Sequence, residues 1–343
     1  MNATNSNSRR NKILEIIIDS YIETAVPVGS KAVSEKFDEN LSPATIRNIM
    51  AELEEIGYLT HPHTSAGRIP TDKGYRFYVD SIMPVYSPSK DESKRIEKEV
   101  EVDEKEELLH RVLKILAGIT GETSIILFPK FRKTSLMYIE LFPIYGNKVL
   151  LLLVTTAGLI KNTIIDLGKR VDEDLLERVS EFLNMQFQGK ELDQILPEIK
   201  NKIDDCKDSF LAILQLSMDI LTKSEFLIDD ELIEFEGTSN ILKQPEFEDA
   251  NKAKNVLKAL EDEEDILSII KDDIDCRNKI SIHIGSENKP RDLRDCSLVI
   301  SPYRFSNRNI GALGVIGPTR MEYPKVCGRV SFLAEIISRF LNE

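Results

Sequence analysis

Ala44, Thr45, Arg47 and Asn48 stand together in one short stretch, and Glu52, Glu54 and Glu55 stand together just after it. The first group offers a cation, an amide, a hydroxyl and a methyl group, and no acid. A guanidinium can donate two parallel bonds to a guanine edge, an amide matches adenine N6 and N7, and a small apolar group can meet a thymine methyl. The chemistry on offer is recognition of base edges and phosphates. Carboxylates confined to the far end stay clear of a phosphate backbone when the near end enters a groove first.

That chemistry needs a helix to present it. Ser42 can accept the free N–H groups of a first turn, Pro43 has a pre-set φ and no N–H to leave unpaired, and Gly57 supplies a left-handed stop. Ile46, Met50 and Leu53 fall at i, i+4 and i+7, which sends one face to a core and leaves the polar group outside. Ser42 therefore belongs with Ala44, Thr45, Arg47 and Asn48 in a candidate DNA-contacting set. Ser30 and Lys31, at the start of the preceding helix, add candidate phosphate contacts through side chains and outward amides. Ser65, Gly67 and Arg68 form a hairpin tip able to approach a backbone or minor groove, although turn chemistry alone also selects Ser and Gly there.

Other candidate chemistry is thin. His61 and His63 flank Pro62 without a third ligand nearby, so no metal is expected. Gly311, Gly314 and Gly317 recur every three residues but open no nucleotide-binding βαβ unit, and they read as structural. Glu261 to Asp265 reads as a solvated helix face. No nucleophile–base constellation and no Gly-rich phosphate loop with Lys appears, which leaves catalysis and cofactors unsupported.

Three helices frame the recognition stretch: Asn11 to Thr24, with Ile13, Leu14, Ile17, Tyr21 and Ile22 at helical spacing, then Ser30 to Phe37, then the Ser42 helix. This is helix-turn-helix spacing. Tyr58-Leu59-Thr60 and Arg68-Ile69-Pro70 read as a wing, and Thr71 opens a fourth helix. Residues 87–107 are rich in Ser, Lys, Asp and Glu and read as a tether or exposed helix. A helix at 108–119 and strands at 124–128, 136–144, 148–155 and 159–167 follow. The pattern then turns helical over 172–187, 191–204 and 209–222, with a strand at 231–235. Helices at 251–260 and 263–274, strands at 279–285, 297–303 and 310–316, and a helix at 323–341 close the chain. The order is that of a split α+β domain with an insertion.

The 343 residues are too many for one compact core and imply two or three domains. Net charge is −13, which weighs against nucleic acid as a partner. Over residues 1–80, however, nine Lys or Arg face eleven Asp or Glu, so most of the acidity lies elsewhere. Affinity for DNA would then rest on a few placed cations and on dimeric binding. Four isolated cysteines suggest buried thiols and no disulfide framework. The Asn- and Ser-rich first residues predict no signal peptide, and the longest apolar run, Val149 to Val154, falls far short of a membrane span. A cytoplasmic protein is expected.

Residues 9–83 resemble the N-terminal domain of the HrcA family of heat-inducible transcription repressors. The likeness rests on Pro27-Val28-Gly29-Ser30-Lys31, on Leu41 through Asn48, and on His63-Thr64-Ser65-Ala66-Gly67-Arg68-Ile69-Pro70-Thr71-Asp72-Lys73-Gly74-Tyr75-Arg76 in order. The chain departs from the family pattern at Ala25-Val26, in place of Gly-Glu, and at Ile49, in place of an acid. Glu236 to Leu242 and Gly314 to Met321 are similar to the family's C-terminal motifs. The resemblance implies a winged helix-turn-helix over 1–86, a linker over 87–107, a GAF-like domain from 108–145 and 243–343, and a dimerisation domain inserted at 146–242. It further implies a homodimer on double-stranded DNA, at the inverted-repeat CIRCE operator of chaperone operons, with the chaperonin as the partner that keeps the repressor active. A second reading makes the GAF-like body a small-molecule sensor, with no pocket residues identified for it.

Overall fold

A computed structural model describes residues 2–37, 41–62, 67–101, 105–129, 134–205, 210–224, 232–275, 280–306 and 308–342. Ser65, His63, Cys206 and Cys276 lie outside these residues.

The N-terminal unit comprises α1 (Asn2–Thr24), α2 (Ser30–Lys36), α3 (Pro43–Glu55), β1 (Leu59–Thr60), β2 (Ile69–Pro70) and α4 (Asp72–Ser81). Ile13, Leu14, Ile17, Val33, Ile46 and Leu53 are all buried and knit the first three helices together. α1 begins at Asn2 and not at the predicted Asn11. No Gly or Pro interrupts the polar extension, so the helix propagates past its apolar face. It ends where the Ala25 amide bonds the Tyr21 carbonyl at 2.9 Å, with Ala25 at φ +55°.

The rest of the chain forms α5 (Lys90–Val100), α6 (Lys105–Thr120), β3 (Thr123–Leu127), β4 (Leu136–Pro143), β5 (Lys148–Thr155), β6 (Ile160–Asp166), α7 (Glu173–Phe187), α8 (Leu192–Asp205), α9 (Leu211–Lys223), β7 (Ile233–Glu236), α10 (Thr238–Ile241), α11 (Ala250–Asp262), α12 (Glu264–Asp275), β8 (Ser281–Ile284), β9 (Cys296–Phe305), β10 (Arg308–Pro318) and α13 (Tyr323–Asn342). A five-stranded antiparallel sheet in the order β7-β3-β10-β9-β8 forms the body. One face packs on α6 and α13 through Leu113, Leu116, Val315, Val330 and Leu333. The opposite face packs on α11 and α12 through Ile125, Leu298, Val256 and Ile266. Helices thus cover both faces of the central sheet.

β4, β5 and β6 make a separate antiparallel sheet with α7, α8 and α9 on one side, around Leu151, Leu153, Leu183 and Ile220. Two expected boundaries move as a result. β4 pairs with β5, so the insertion starts near 134 and not at 146. β7 pairs with β3, so the chain has rejoined the body by 233 and not at 243. Strand runs reveal extended backbone, but hydrogen bonding decides which sheet owns each strand. The insertion leaves and re-enters between neighbouring strands, with the Phe128 amide bonded to the Leu232 carbonyl at 2.9 Å.

The predicted linker at 87–107 is also no free tether over its middle. α5 buries Ile96 and Val100, and Arg329 of α13 holds Glu92 at 3.0 Å. Two apolar residues four apart and one ion pair dock an otherwise charged helix.

Candidate nucleic-acid interface

Ser42 caps α3, its hydroxyl accepting from the Thr45 amide at 3.1 Å. The Ser42 and Thr45 hydroxyls also lie 2.9 Å apart and satisfy one another. Ile46, Met50 and Leu53 are buried, while Ala44, Thr45, Arg47 and Asn48 are exposed. The Arg47 and Asn48 side chains have no partner among the described residues and are free to bond elsewhere. Lys31 is exposed on α2 and likewise free, with Ser30 half-buried at the first position of that helix.

The wing differs from expectation. Arg68 exchanges two backbone bonds of 2.9 Å with Val28, which places it at the base of the hairpin and not at its tip. Its Nε lies 2.7 Å from Glu54, whose other oxygen bonds His61. Burial pushes the Glu54 carboxyl up, but His61 and Arg68 outweigh it and hold Glu54 below its usual range. Gly67 is required by close approach, since a Cβ there would sit 2.5 Å from the Val28 carbonyl. Gly67 and Arg68 thus brace the wing against α1–α2, and Arg68's charge is neutralised by an acid of the recognition helix. Ser65 falls outside the described residues.

Two residues that hold the recognition helix were missed in the sequence. Lys73 donates to the Ile56 carbonyl at the end of α3 (2.7 Å) and lies over the Tyr58 ring, and the Thr71 hydroxyl donates to the Gly57 carbonyl (2.6 Å). A cation at a helix C-terminus satisfies an orphan carbonyl and suits the dipole. The motif Thr71-Asp72-Lys73-Gly74 marked a helix start, but a contact 17 residues back leaves no spacing signal.

Among the described residues no group of three or more His, Cys, Asp or Glu could hold a metal ion, and no helix is long and apolar enough to cross a membrane. Cys296 and Cys327 are buried.

A capped recognition helix with a free polar face, a short wing behind it and a separate α/β body make this a transcription regulator of the winged-helix class. The model of the HrcA protein C-terminal domain matches residues 106–327. Heat-inducible transcription repressors HrcA from Thermoanaerobacter sp. (strain X514) and Geobacter sulfurreducens are 37% and 38% identical to the chain. The first alignment covers 97% of this chain and 96% of the relative, the second 98% of each. The chain belongs to the HrcA family of heat-inducible transcription repressors. A crystal structure described as that of a hypothetical protein shares the fold, with a TM-score of 0.63 at 24% identity over 97% of this chain and 98% of that one.

Proposed function

We propose that the chain represses chaperone operons by binding, as a homodimer, an inverted-repeat operator of the CIRCE type. The observation that carries this reading is the exposed, acid-free first half of α3, where Ala44, Thr45, Arg47 and Asn48 stand unobstructed beside the Ser42 cap. Arg47 and Asn48 read base edges, while Ser30 and Lys31 hold phosphates. Arg68, paired with Glu54, is not among the contacts.

The second protomer sits on the open face of the small sheet. Phe142, Leu150 and Ile164 align across its three strands, as do Tyr138, Val154 and Ile160. Phe142, Tyr138, Ile160 and Ile164 are exposed in the single chain, an apolar patch that a two-fold partner would cover. The family likeness supplies the chaperonin as the partner that maintains the active form, and a cytoplasmic location follows from that role.

A footprint on a chaperone promoter, with and without chaperonin, tests the reading. Symmetric protection of both half-sites, strengthened by chaperonin, is the expected result. Protection of neither half-site under both conditions would overturn it.

A further inference from the structure

Several motif residues face away from the proposed DNA surface and into the body. On α4, Arg76 reaches Glu287 with two parallel bonds (2.8 and 2.6 Å), and it also donates to the Ile282 carbonyl at 2.5 Å and to Asp80 at 3.1 Å. One turn earlier, Asp72 accepts from the Ser286 amide at 2.8 Å. Gly285, at φ +53°, lies so close that a Cβ would stand 2.4 Å from the Asp72 carboxylate. A second bond between the two units is made by Arg320, at the exit of β10. It donates to the Ile22 carbonyl in the last turn of α1 at 2.5 Å, while Glu246 (2.5 and 3.2 Å) and Gln244 (3.2 Å) grip it on the body. Tyr75 and Tyr323, one from each unit, are both buried with ring centroids 5.8 Å apart.

Contacts between domains of one chain ordinarily permit relative motion unless they are large and apolar. Here the contacts are directional. Arg–carboxylate forks fix an angle as well as a distance, and the Ile22 carbonyl is one that its own helix leaves unpaired. We infer that Arg76 and Arg320 are positioning residues for operator binding, locking the DNA-binding unit to the body at two separate points so that the body sets the separation of the two recognition helices.

The spacing part of this rests on the inverted-repeat reading, whereas the lock itself does not. Arg76→Ala, Arg320→Ala and Arg76→Lys are compared with wild type in the full-length chain, the last keeping the charge and losing the fork. Two readouts are taken. The first is affinity for operators whose half-sites are moved apart by up to about half a helical turn. Wild type should show a sharp optimum. The variants should lose about tenfold at that optimum and much less elsewhere, with salt dependence unchanged. The second readout is the distance distribution between labels attached at exposed Ala51 on α3 and Glu261 on α11, measured without DNA. It should be narrow in wild type and broaden in each variant. Restored narrowness in Arg76→Glu combined with Glu287→Arg supports the lock. Variants that keep the wild-type distribution overturn it, whatever the DNA result. Variants that broaden yet keep the wild-type spacing optimum overturn the positioning role. A wild type that binds no inverted repeat sinks the operator reading and leaves the distances to decide the lock.

Discussion

At the scale of single residues, the recognition surface and the buried polar groups answer to different chemistry. Arg47 is exposed and unpaired among the described residues, so Arg47→Ala should leave stability unchanged and weaken specific operator binding by about 1–3 kcal/mol if it reads a base. Titration on matched and scrambled operators checks this, since equal losses on both would make Arg47 a phosphate contact. Glu122 is the opposite case. It is 6% exposed, one carboxylate oxygen has no partner among the described residues, and burial raises its pKa from 4.5 to about 8, against the pull of nearby Arg320 and with the push of Glu246. An acid whose folded pKa is raised takes up more protons folded than unfolded between those values. Stability is therefore fullest below about pH 4.5, declines as pH rises, and levels off above about 8. Glu122→Gln should erase that component, and denaturant titrations of both proteins from pH 5 to 9 show whether it does. Ala25 adopts the left-handed φ of +55°. Ala25→Gly should stabilise the chain by about 1 kcal/mol, read as a rise in denaturation midpoint.

At the scale of elements, periodicity carried most of the pattern because burial repeats with the helix or strand period. The Ser42 cap, the Pro43 start, the Gly57 stop and the Ile46, Met50, Leu53 face of α3 all lie where spacing placed them. Contacts between distant positions were not legible. Nothing in the run around Arg68 announces Glu54 across the hairpin, and nothing in residues 90–100 announces the Arg329 that holds Glu92. Val149 to Val154 read as a strand, but only the three-stranded sheet shows that β5 alternates between a buried side and a half-buried outer side. Gly74 illustrates the same limit. Its place in a motif was visible, its reason was not: a Cβ there would stand 2.1 Å from the Tyr58 carbonyl. Gly74→Ala should therefore separate α4 from the wing and cost about 1–3 kcal/mol by overpacking, measured as a lowered thermal midpoint.

At the scale of the whole molecule, the open sheet face and the hairpin-like insertion make separate claims. Phe142→Asp with Ile164→Asp places charges in one cross-strand row, flanking Leu150. For the proposed dimer, sedimentation should show association weakened by more than about 2 kcal/mol, with the monomer still folded because neither side chain belongs to the core. The insertion itself begins and ends on paired strands, Leu127 opposite Ile233. Seen topologically, some hundred residues amount to an overgrown loop, and a short turn replacing residues 129–231 should leave the five-stranded sheet intact. On the proposed function, such a shortened chain would bind one half-site and no longer pair, which would make subunit assembly and base reading cassettes that evolution can exchange one at a time.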